Sequence, residues 1–125
     1  MKSVRLLIGS LCLLGLPQIG LANCNGDTQA DMSLCSESHY RAADQELNRL
    51  WKQLTWSLRA YNDRYISLAK LKESQRMWLK VRDIDCTMLA YGGGGGSASS
   101  MFMADCLTEK TLARNKEFER LLQQY

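Results

Sequence analysis

The chain has 125 residues, enough for one domain. Its 16 Lys and Arg stand against 13 Asp and Glu, a formal charge of +3; without Lys2 and Arg5 of the N-terminal segment the balance is 14 against 13, or +1. A chain so near neutral argues against nucleic acid as the main partner, which usually needs a concentrated basic face.

The first stretch is "MKSVRLLIGSLCLLGLPQIGLA". Lys2 and Arg5 form a charged start, and Leu6 to Leu16 is an apolar run too short to span a bilayer. Gly20 and Ala22 are small residues at the −3 and −1 positions of a cleavage site. Residues 1–22 therefore read as a secretory signal peptide, leaving residues 23–125 as a single exported domain, periplasmic or secreted, with no membrane span after cleavage. Asn23, just before Cys24, fits a lipid-attachment motif poorly.

Cys12 leaves with the signal, and Cys24, Cys35, Cys86 and Cys106 remain. An even count in a small exported chain reads as two disulfides. Three pairings are open to four cysteines; the local one, Cys24–Cys35 and Cys86–Cys106, is the expectation. A metal site is not expected, because the thiols are not in close pairs and His39 is the one histidine.

The remainder is rich in helix formers and contains no proline, and it divides into three segments. Thr28-Gln-Ala-Asp31 resembles a capping box and opens a helix over about 28–60. Met32, Cys35, His39, Ala43, Leu47, Leu50, Leu54, Leu58 and Tyr61 form its apolar stripe at spacings of three and four. Trp51 widens the stripe, and Trp56 lies off it.

Asn62-Asp63 looks like a cap for a second helix over 63–90. Leu68, Leu71, Gln75, Trp78, Leu79, Arg82, Cys86 and Leu89 share one face, which Met77, Val81, Ile84 and Met88 are expected to extend. Tyr91 and Gly92–Gly96 open a loop over 91–97, and Ser97, Ser99 or Ser100 is expected to cap a third helix over 98–123. Ala104, Leu107, Thr111, Arg114, Phe118 and Leu121 form its stripe. The expected fold is all-α: an antiparallel three-helix bundle stapled by two disulfides, each apolar face covered by the other two helices.

Candidate chemistry is sparse. Five consecutive glycines invite a phosphate-binding reading, but Ser97-Ala98 follows where a Lys-Ser or Lys-Thr is needed, and a helix precedes where a strand is needed. No Lys or Arg lies between Arg82 and Lys110. His39 falls on the apolar stripe and reads as a core or boundary residue. With all four thiols oxidised, no Cys–His nucleophile is expected, so the chain is read as a non-enzyme without cofactors.

Asp44, Asn48, Gln75, Arg82, Asp85, Thr111 and Arg114 sit on or beside the stripes and form an expected structural polar network. A buried arginine needs a carboxylate, so Arg82 and Arg114 are expected to pair with acids such as Asp44 or Asp85. The candidate contact surface is Tyr91, Gly92, Gly93, Gly94, Gly95, Gly96 and Phe102 at the loop, with Trp56 as a further exposed aromatic.

Three stretches carry a family resemblance. "ADQELNRLW" (43–51) resembles the A-D-x-x-L-N-x-x-[YW] stretch of the LprI-type lysozyme-inhibitor family of bacterial exported proteins. "SQRMWLKVRDIDC" (74–86) is similar to its Q-R-x-W-L-x-x-R-D-x-x-C signature, and "CLTEKTLAR" (106–114) to its C-x4-T-x2-R close. The resemblance implies a binding protein with a protein partner, lysozyme. The second reading is an envelope interaction protein without inhibitory activity. Animal lysozymes are basic, so steering calls for an acidic inhibitor, and a net charge of +1 offers none.

Overall fold

The computed structural model describes residues 24–125; residues 1–22, read above as a signal peptide, lie outside the described residues. Three long helices carry the chain: α1 (Gln29–Ser57), α2 (Leu68–Tyr91) and α3 (Ser99–Leu122). Helix α1 begins at the expected capping box. Thr28 Oγ1 accepts from the Asp31 N–H at 3.1 Å, and the Asp31 carboxylate accepts from the Thr28 N–H at 3.3 Å. One turn of 3₁₀ helix, Leu58–Ala60, ends it.

The start of α2 differs from expectation by five residues. Asp63 does not cap a helix there. Its Oδ1 accepts from the N–H groups of Tyr65 at 2.6 Å and Ile66 at 2.9 Å, which closes a local turn instead. Ser67 is the actual cap, accepting from the Lys70 N–H at 3.3 Å. At α3 the cap position is Ala98, and none of the nearby serines supplies a capping hydrogen bond. Ser99 is buried, and Ser100 bonds Ser33 of α1 at 3.2 Å. Ser100 thus joins α3 to α1 rather than capping a helix.

Helices α1 and α3 run parallel. Asn115 Nδ2 donates to the Ala43 carbonyl at 3.0 Å, and the Trp51 and Phe118 rings lie 6.0 Å apart. Helix α2 runs opposite to both, with Lys110 Nζ 2.8 Å from Asp85 and Arg114 Nε 3.0 Å from Gln75. Both disulfides follow the local pairing, Cys24–Cys35 and Cys86–Cys106. Helix α3 is central: α1 and α2 each pack on it and pack little against each other.

The main core is at the 58–67 turn end, where Leu47, Leu50, Leu54, Leu58, Leu71 and Phe118 are buried together. The loop end has a thinner cluster of Cys86, Cys106 and Leu107. Covalent bonds thus reinforce the end with less apolar burial, as expected where a small domain cannot build a large core.

The splay of α1 and α2 overturns two expectations about faces. Met77, Val81, Ile84 and Met88 do not widen the core; they are 57, 57, 59 and 69% exposed. Leu89 is exposed as well. Near the start of α1 the buried line runs through Ser36 and Ala43, while Met32 and His39 are exposed. A helix with one principal neighbour buries one narrow stripe, and the remaining apolar residues stay in water.

Candidate functional site

The candidate contact residues divide between the two ends. Tyr91 ends α2, the glycines follow, and Phe102 lies in the first turn of α3; both aromatics are exposed. Trp56 lies at the opposite end near the close of α1, with the Arg59 guanidinium 4.6 Å from its ring centroid. It cannot share a contact patch with the loop.

The loop takes its shape from three glycines. Gly94, Gly95 and Gly96 have φ of 94°, 79° and 148°. Gly92 still has helical backbone, and its N–H bonds the Met88 carbonyl at 2.9 Å. Beneath the loop is a hollow of about 290 Å³ whose walls include Leu34, Glu37, Tyr40, Tyr91 and Met103.

Sequence reasoning missed a ridge that leads into this end. Met77, Val81, Ile84 and Met88 step by four, three and four along α2, and the next step of three is Tyr91. The four exposed side chains and the tyrosine share one helix face. The periodicity was legible, but the loss of a covering neighbour was not.

Charge is polarised along the bundle. Among the described residues, the half that carries the loop (24–44, 80–111) holds eight acids against four bases, a formal −4. The acids are Asp27, Asp31, Glu37 and Asp44 on the α1 side, Asp83 and Asp85 on α2, and Asp105 and Glu109 on α3. The other half holds ten bases against five acids, a formal +5. A near-neutral total conceals two opposed ends.

The expected polar network exists in a different arrangement. Arg82 pairs with its neighbour Asp83, Nε to Oδ1 at 2.8 Å, not with Asp44 or Asp85. Its guanidinium carbon lies 5.1 Å from the Trp78 ring centroid and 5.8 Å from that of Tyr40. Arg114 donates to Glu117 at 2.6 Å, Gln75 at 3.0 Å and Ser74 at 3.1 Å. Asp85 is held by Lys110, and Asp44 accepts from Asn48 Nδ2 at 3.1 Å. Local partners win because the splay sets Asp44 across a groove from α2.

Thr111 is fully buried, and its Oγ1 has no hydrogen-bond partner among the described residues. Sequence reasoning missed Asn115, the buried side chain that ties α3 to the α1 backbone. Burial pushes the Tyr40 hydroxyl above its ordinary pKa, opposed by the Arg82 charge and reinforced by Asp44 and Asp83.

Between α1 and α2 runs a groove of about 620 Å³. Asp44, Leu47, Asn48 and Trp51 line one side; Ala69, Lys72, Gln75, Arg76 and Leu79 line the other. Seven of these nine residues come from the two quoted stretches at 43–51 and 74–86. His39 lies beside the Cys24–Cys35 disulfide. Its Nε2 lies 3.9 Å from Cys24 Sγ, but Cys24 and Cys35 are bonded to each other and offer no thiolate. No helix among the described residues is long and apolar enough to cross a membrane.

An uncharacterized protein of Rhizobium meliloti (strain 1021) is 31% identical over 105 residues, covering 77% of this chain and 75% of the relative. No solved structure matches the chain. The family model described as "Lysozyme inhibitor LprI" matches residues 22–118. The match spans all three helices except the last turn of α3 and includes all four paired cysteines, so the chain belongs to the LprI lysozyme-inhibitor family.

Proposed function

We propose that this protein is an exported inhibitor of a lysozyme-type cell-wall hydrolase, which it covers with its loop end. The observation that carries the reading is the acidic half-molecule, formal charge −4, that carries the exposed Tyr91 and the ridge residues Val81, Ile84 and Met88. Electrostatic complementarity guides encounter with a basic enzyme, and exposed apolar side chains supply contact area once the surfaces meet. The ridge and glycine loop would lie across the substrate cleft and exclude the polysaccharide. The paired cysteines fit an extracytoplasmic setting, periplasmic or secreted.

Turbidimetric lysis of cell walls, with the purified protein titrated against several lysozymes, tests the reading. Dose-dependent slowing supports it, and unchanged rates at micromolar protein across all of them overturn it. The second reading, an envelope interaction protein without inhibitory activity, uses the same surface. In that case the α2 ridge captures a periplasmic partner while lysozyme activity is untouched.

A further inference from the structure

We infer that the groove between α1 and α2 binds a small amphipathic anion, independently of any protein held at the loop end. Its volume of about 620 Å³ lies within the range of small-molecule sites, commonly about 300–1,000 Å³. Leu47 is buried, and Trp51 and Leu79 are half-buried, so an apolar body finds contact along both walls.

The polar groups are arranged for an acid. Lys72 and Arg76 are one turn apart on α2, exposed at the groove, and make no ion pair among the described residues. Gln75 lies between them in sequence and is only 8% exposed. Arg114 donates to its Oε1 at 3.0 Å, which fixes the amide and leaves its Nε2 donor without a partner among the described residues. Two cations and a fixed amide thus line the same wall of the groove, the donor types that a carboxylate or phosphate accepts from.

Asp44 is the one acid in the lining against Lys72 and Arg76, so the lining keeps a net positive charge. Packing does not account for the polar members of the quoted stretches here. Asn48 and Arg76 are exposed, and a bundle core makes no demand for those side chains.

Decanoate, kept below its micelle concentration, is the probe. Calorimetry and tryptophan fluorescence, to which Trp51 in the groove wall contributes, give the readout. Saturable binding is expected, with acetate and decyltrimethylammonium binding far more weakly because they lack the tail and the negative charge respectively. The double substitution Lys72→Gln and Arg76→Gln should weaken decanoate at least about tenfold, the scale of losing charged hydrogen bonds. Lys70→Gln, outside the lining, should leave it unchanged, and Asp44→Asn should tighten it. Circular dichroism confirms that each variant is folded.

Equal binding of decanoate and decyltrimethylammonium, or unaltered affinity in the folded double variant, overturns the inference. So does retention on phosphatidylglycerol vesicles without binding of free decanoate, which would identify a membrane surface. Lysozyme inhibition is measured separately, so neither result stands in for the other.

Discussion

Gly93 and Gly94 are neighbours with different demands. A Cβ at either meets nothing within 4 Å, but only Gly94 has a positive φ, at 94°. Gly94→Ala should therefore lose about 1–2 kcal/mol by strain, while Gly93→Ala should be neutral or slightly stabilising. Thermal unfolding of the two variants separates backbone demand from mere glycine richness. Asp63 supplies a pH test. Its two backbone N–H donors hold its carboxyl below the ordinary 3.8. A depressed folded value contributes stability above the unfolded pKa, and that contribution disappears as pH falls through the folded one. The difference in melting temperature between wild type and Asp63→Ala should therefore shrink below pH 3.8. A constant difference would show that the turn does not depend on the charge.

Helix α2 packs on one principal neighbour, α3, and the Cys86–Cys106 bond ties its loop end there. The sequence separation of 20 places this closure near 3 kcal/mol in the chain-entropy model. Replacing both cysteines with serine should destabilise by about that amount. Hydrogen exchange should quicken first in the C-terminal half of α2, since the larger core lies at the other end. Uniform quickening would show that α2 has no separate weakness. That there are two disulfides and three helices was legible from the even cysteine count and 3.6-residue periodicity; the local pairing was the expected one of three, and the structure bears it out. The onset of α2 was not, because Asp63 and Ser67 are both competent caps and only the turn between them selects Ser67.

The whole molecule is an electrical dipole with a near-zero total, and that distribution governs any encounter with a charged partner. Under the proposed inhibitory function, raising ionic strength should weaken inhibition by slowing association. Asp105→Lys with Glu109→Lys reverses two acids on α3 that form no ion pair among the described residues, so it should weaken inhibition on the order of tenfold without unfolding the chain. Steady-state inhibition at two salt concentrations checks both. An unchanged constant in the double variant would remove steering from the account. Ile84→Lys, on the exposed ridge, should impair inhibition while leaving the folding stability within about 0.5 kcal/mol of wild type.

By itself the sequence determined the all-α class, the disulfide-rich character of the chain, the capping box at Thr28 and the family. Each is a local property or a pattern along the chain, and such patterns survive without knowledge of neighbours. Only the tertiary structure decided how α1 and α2 lie relative to each other. A helix's apolar residues do not specify how many neighbours it will have, so Met77, Val81, Ile84 and Met88 looked like core. The same splay opened the groove and left Arg82 and Arg114 to local acids, while the antiparallel course of α2 gathered acids separated in sequence into one half. Net charge is a sum over residues, whereas steering and binding depend on where in the fold those residues are placed.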